Sequence, residues 1–306
     1  MKETFKIQSS DGIHDLHVTH YKPDGKVKAV LQIVHGMCEY IDRYDEFAMY
    51  LNEHGIAVLG LDHLGHGHSV NSDDELGFFG EKGGKGFLIK DQFYLTRQIK
   101  RLYPGKKVFM LGHSMGSFIT RRYITIWGGE LDGVIVMGTG QQPFAKVKAG
   151  RMLAYTIMHS KGLMYRSELL YKLSTGGYED AFKKRGLGSW LSKNDDINAS
   201  YEADKYCNFI FTASGFHTLF SIVEDLSLKK NDNRIPTELP ILFMSGMDDP
   251  VGDYTKGVLA VYNEYRKLGI KDLDVIFYQN DRHEILNELD REDVYRDVLA
   301  FLENHI

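Results

Sequence analysis

The sequence predicts an α/β fold built on a mostly parallel sheet with helices on both faces. Three observations carry this expectation. Short β-branched runs alternate with helix-like stretches along most of the chain. One run enters a Gly-x-Ser-x-Gly turn that leads directly into a helix-like stretch. Residues suited to chemistry then fall just past strand ends, where open parallel sheets carry their sites. A chain of 306 residues is long enough for one large core with an insertion. A hydrophobic content of 43% and a charged content of 26% are ordinary for a globular protein. The formal net charge of −5 gives no reason to expect nucleic acid as a partner, and none is expected.

Residues 5–9 and 14–21 alternate around Asp11-Gly12 and read as a β-hairpin. Residues 28–35 form a strand that ends at Gly36, and residues 42–54 a helix that closes at Gly55. A second buried strand spans 56–62, and a helix over 86–103 stops before Pro104-Gly105. Residues 108–111 are the strand that enters the serine turn, and a helix runs on from it to Trp127. Strands over 132–138, 241–244 and 273–278 follow, with a helix over 253–268 and a last one over 292–303. The stretch 141–235 breaks this rhythm, with aromatic, methionine and basic residues, among them Lys183-Lys184-Arg185. It reads as a helical cap inserted into a core made of residues 1–140 and 236–306. Its apolar faces, such as Met152, Tyr155 and Met164, suit either a small core of its own or a lining for an acyl chain.

Chemistry concentrates in Gly112-His113-Ser114-Met115-Gly116. The flanking glycines allow a tight bend that lifts Ser114 clear of the sheet. Serine is a weak nucleophile unless a base takes its proton and a third group orients that base. Candidates follow in the order acid then histidine: Asp248 and Asp249 after the strand 241–244, and His283 after the strand 273–278. Adjacent aspartates point differently, so at most one should face the histidine, and the residues alone leave both open. Backbone N–H groups of Met115 and of Met37, in the loop His35-Gly36-Met37-Cys38-Glu39-Tyr40, are placed to hold a developing oxyanion. His63, His66 and His68 lie close together but lack a completing Cys or Glu, and read as a structural loop beside the site. Cys38 reads as a small buried residue. No metal or organic cofactor is expected. Two cysteines, no secretory h-region and no membrane-length apolar run place the chain in the cytoplasm by default.

As a set, His35-Gly36-Met37-x-Glu39, Asp62-x-x-Gly65-His66-Gly67-x-Ser69, the Ser114 pentapeptide, Asp249 and Arg282-His283-Glu284 resemble the monoacylglycerol lipase / lysophospholipase group of α/β-hydrolases, also described as serine-aminopeptidase-like. The resemblance covers almost the whole chain, including the region around Ser189-Trp190-Leu191-Ser192. It implies an eight-stranded sheet with a helical cap. It also implies Ser114 as nucleophile, His283 as base, Asp249 rather than Asp248 as acid, and Met37 and Met115 as the oxyanion hole. Cys38 stands where the animal enzymes carry glycine, and Tyr40 where they carry histidine; both lie near the expected leaving-group pocket. The partner it implies is a small acyl ester, a monoacylglycerol or a lysophospholipid; the apolar residues of the cap allow at most transient contact to a membrane surface. Short-chain or aromatic esterase and aminopeptidase activities remain alternatives.

Overall fold

Eight strands form one sheet in the order β1-β2-β4-β3-β5-β6-β7-β8 in the computed structural model, which describes residues 1–175, 177–182, 188–228 and 234–306. β1 (Lys2–Gln8) and β2 (Asp15–Tyr21) pair antiparallel from Lys2↔Tyr21 to Gln8↔Asp15, closing the expected hairpin. β2 runs antiparallel to β4 (Ile56–Leu61). The strands β3 (Ala29–Val34), β5 (Lys107–His113), β6 (Gly133–Met137), β7 (Ile241–Gly246) and β8 (Leu273–Tyr278) continue the sheet in parallel. β3, β4, β6 and β7 are buried along their whole length. Near-continuous apolar runs such as Ile-Ala-Val-Leu are what a strand covered on both faces requires.

One face carries α1 (Asp45–Glu53) and α9 (Arg291–Asn304). Phe47, Leu51, Val294 and Val298 pack there against Leu31, Val58 and Leu111. The other carries α2 (Gly84–Leu102), α3 (Met115–Trp127) and α8 (Lys256–Lys267). Between β6 and β7 the chain supplies α4 (Phe144–Lys161), α5 (Glu168–Ser174), α6 (Asp195–Ala203) and α7 (Ala213–Ser227). Among the described residues this stretch does not enclose a core of its own. Phe216 and Ile222 of α7 and Ala154 of α4 belong to the same buried cluster as Ile119 and Tyr123 of α3. Met152, Tyr155 and Met164 are exposed instead. Lys183-Lys184-Arg185 lies outside the described residues. Among the described residues no helix is long and apolar enough to cross a membrane.

Two expected helices begin differently. Residues 42–54 divide into a 3₁₀ turn (Ile41–Tyr44) and α1. The helix expected from 253 starts at Lys256, because Asp253, Tyr254 and Thr255 all take left-handed backbone, with φ of 48°, 51° and 78°. Hydrogen bonds hold that turn: the Tyr254 N–H donates to the Asp249 carbonyl at 2.9 Å, and the Gly257 N–H to the Gly252 carbonyl at 2.8 Å.

Glycine is required where α3 crosses β3. A Cβ on Gly116 would overlap the carbonyl of Val34 and crowd that of His35. Gly116→Ala should therefore cost about 3 kcal/mol or more in urea unfolding. Gly86, exposed in α2 with open space around its Cα, is the contrast: Gly86→Ala should stabilise by about 0.5–1 kcal/mol in the same measurement.

Candidate active site

Ser114 occupies the turn between β5 and α3 with φ 53° and ψ −120°, a conformation that costs a non-glycine residue energy and persists only when its surroundings enforce it. The surroundings are backbone bonds. The Ser114 N–H donates to the Met137 carbonyl at 3.0 Å, and its carbonyl accepts from the Ser117 N–H at 2.9 Å and the Ser117 hydroxyl at 2.6 Å. Gly112 permits the close return, since a Cβ there would overlap the Thr120 hydroxyl. Ser114 itself is only half-buried.

His283 lies in the loop after β8 and Asp249 in the loop after β7, the two strands next along the sheet from β6. His283 Nδ1 is 3.0 Å from both carboxylate oxygens of Asp249. Asp249 is fully buried, and it also accepts the Val251 N–H at 2.8 Å. Asp248 does not reach the imidazole; it is half-buried and bonds through its N–H to the Asp281 carbonyl at 2.9 Å. His283 is 2% exposed, and among the described residues its Nε2 has no hydrogen-bond partner. The His113 ring, one residue before Ser114, sits 4.9 Å from the His283 ring. Gly138, with φ of 60°, lies against the imidazole, where a Cβ would come within 3.1 Å of Cε1.

The loop after β3 comes up beside Ser114: a Cβ on Gly36 would lie 3.0 Å from the Ser114 Cβ. Among the described residues, neither the Met37 N–H nor the Met115 N–H has a hydrogen-bond partner. The next residue, Cys38, is buried with φ of 55°, and its N–H donates to His66 Nε2 at 3.3 Å. His66 Nδ1 lies 3.3 Å from the Leu64 carbonyl, His35 Nδ1 lies 2.8 Å from the Gly36 carbonyl, and His35 Nε2 accepts the His63 N–H at 2.9 Å. These partners set neutral tautomers. Burial pushes His63 down to about 4 and His66 down to about 3, and takes His35 well below its ordinary value. The two inner histidines of the 63–68 loop thus hold backbone beside the site, while His68 is exposed.

A buried ionic cluster behind the imidazole was not anticipated as a site. Glu39 Oε1 accepts the Gly36 N–H, the Tyr44 hydroxyl at 3.1 Å and His113 Nδ1 at 2.9 Å, while Arg43 reaches Oε2 at 3.1 Å. Arg43 also forks onto Glu284 at 2.8 and 2.7 Å. Burial alone would raise both carboxyls, but His113 and Arg43 outweigh it, lowering Glu39 and taking Glu284 to about 2. Burial would likewise lower His113, but Glu39 outweighs it and raises the imidazole. The Glu39–Arg43 spacing of four residues was the one local signal; the Glu284 partner, 241 residues from Arg43, had none.

Residues 25–290 match the hydrolase family described as serine aminopeptidase, S33. The chain belongs to that family. Human monoglyceride lipase is 25% identical over 92% of this chain and 84% of its own length. A monoglyceride lipase homolog of monkeypox virus is 37% identical, over 34% of this chain and about a third (36%) of the viral one. Among solved structures, a highly thermostable carboxyl esterase from Bacillus coagulans, in complex with glycerol, superposes with a TM-score of 0.91 at 26% identity, covering 99% of this chain and 98% of that one. The fold is that of an α/β-hydrolase, and the relatives indicate a carboxylic ester hydrolase.

The buried histidines give stability a pH dependence of known sign. A histidine whose pKa is lowered by folding contributes stability that is complete above its unfolded value, near 6.5, and is lost as pH falls towards its folded value. The loss is about 1.4 kcal/mol per pH unit for each such group. His66→Gln keeps an acceptor for the Cys38 N–H without a titrating ring. The difference in unfolding free energy between pH 7.5 and pH 5 should shrink by about 2 kcal/mol relative to the parent.

Proposed function

We propose that the protein is a serine hydrolase that cleaves carboxylic esters of lipid-like alcohols through an acyl-enzyme on Ser114. The observation that carries this reading is the Asp249–His283 pair at 3.0 Å, its imidazole 4.9 Å from the ring of His113, the residue before a serine held in a strained, half-exposed turn. Nucleophilic acyl transfer needs those three groups in that relation. Ser114 Oγ attacks the ester carbonyl while His283 Nε2, the ring nitrogen left unpaired, takes its proton. Asp249 fixes the tautomer through Nδ1 and offsets the imidazolium charge. The N–H groups of Met37 and Met115 hold the oxyanion, each such donor contributing about 3 kcal/mol. His283 then protonates the leaving alcohol and activates a water that releases the acid. These steps use only the chain's own groups and water.

A monoacylglycerol or lysophospholipid is the substrate class we favour, on the strength of the likeness to human monoglyceride lipase. A short- or medium-chain or aromatic carboxylesterase is the second reading, favoured by the likeness to the Bacillus coagulans esterase. Aminopeptidase action is disfavoured physically. It calls for an acid free to receive a substrate ammonium, and the buried acids beside the site, Glu39 and Glu284, are already engaged by Arg43 and His113. The scarcity of cysteine supports a reducing compartment, and we place the enzyme in the cytoplasm.

Ser114→Ala should lose labelling by a fluorophosphonate probe while keeping its thermal transition; labelling of that variant at another residue would refute the assignment. Asp249→Asn should lower kcat by about 10³–10⁴-fold, and Asp248→Asn should leave it near the parent value. Across p-nitrophenyl esters from acetate to palmitate, kcat/KM that climbs to about eight carbons or beyond supports the lipid substrate, while a maximum at acetate or butyrate selects the second reading.

A further inference from the structure

We propose that Trp190 is a positioning residue for His283, its indole face stabilising the imidazolium that forms when the base takes the serine proton. The proposal rests on the reading of His283 as that base. Its first support is the backbone. Residues 189–192 run as a strap along the His283 loop: the His283 N–H donates to the Trp190 carbonyl at 3.4 Å and the Glu284 N–H to the Leu191 carbonyl at 2.7 Å. Arg282 clamps the carbonyls of Ser189 and, at 2.8 Å, Ser192. Further along, the Lys193 N–H bonds Glu288 at 2.9 Å and its ammonium bonds Asp281 at 2.5 Å. The indole is therefore set relative to the imidazole by main chain on both sides of it.

The second support is the ring geometry. The centroids of Trp190 and His283 are 5.1 Å apart with the planes tilted by 32°, within the reach of about 6 Å over which an aromatic face attracts a cation. Tyr178 backs the indole at 5.1 Å and limits its swing. The third support is the lack of alternatives among the described residues. His283 is 2% exposed, so water offers its cation little solvation. Asp249 serves only the Nδ1 edge. The other ring against the imidazole, His113 at 4.9 Å, is drawn towards its protonated form by Glu39 and would repel a second cation. Of these two rings the electron-rich indole is the one that favours the charge, and tryptophan carries the strongest such face among the side chains.

The stabilisation acts only once the proton has moved, so it belongs to the transition state and not to substrate binding. Trp190→Leu should lower kcat and kcat/KM together by about tenfold, with KM held within about twofold, and Trp190→Phe should recover a large part of the loss. Fluorinated tryptophans incorporated in a Trp127→Phe background keep the shape of the indole while weakening its face, so a folding defect cannot imitate the result; kcat should fall stepwise with each added fluorine. A kcat indifferent to fluorination, or a Trp190→Leu effect confined to KM, overturns the proposal while leaving the base assignment standing. If His283→Ala retains esterase activity, the base assignment itself fails, and the role of Trp190 fails with it.

Discussion

The Glu39 carboxylate is the junction on which the site depends. It takes the Gly36 N–H from the loop after β3, the His113 imidazole from the turn before Ser114, and Arg43, which in turn grips Glu284 next to His283. Three loops that the sheet merely brings to one edge are thereby locked to each other. Two carboxylates and a guanidinium so deeply buried are tolerable only as a set, because removing one member would leave an uncompensated charge in a medium that solvates it poorly. The cluster is thus a reason for the loops to keep their mutual placement and gives none of them freedom to shift alone.

A second layer of order comes from groups without charge. His35, His63 and His66 act as fixed donors and acceptors for backbone, and each ring has a burial cost that holds it neutral. Ionic bonds therefore anchor the side of the site behind His283, and neutral imidazoles shape the side next to Met37. The two devices respond to acid in different pH ranges: the stability held by Glu284, whose carboxyl is lowered to about 2, begins to be lost only as pH falls below the ordinary carboxylate value, while that held by the neutral rings begins to be lost below 6.5.

Most of the sheet was legible because a strand buried on both faces must be apolar throughout, and runs such as those of β4 and β6 have no other use. The candidates Ser114, Asp249 and His283 stood out because each follows a strand-like run, although β8, before His283, is only half-buried. The choice between Asp248 and Asp249 was not legible locally: it turns on which of two adjacent side chains the loop after β7 buries. The merged core of α7 was hidden for a related reason, since an amphipathic pattern reveals an apolar face and not its neighbour. Trp190, through its bond to His283, and Glu284, through its bond to Arg43, owe their places to contacts across 93 and 241 residues, which no window along the chain can contain.

The left-handed turn at Asp253, Tyr254 and Thr255 sets local aim against global stability. Each of these residues holds a conformation that glycine or asparagine would adopt more cheaply, at a cost of order 1–3 kcal/mol apiece. The turn is bonded to the main chain of Asp249 itself. Side chains bulkier than glycine narrow the alternatives open to this stretch, so the carboxylate stays pinned while the molecule as a whole gives up some resistance to heat. Drift towards a hardier protein would be easiest here, and it would loosen the carboxylate that holds the His283 ring.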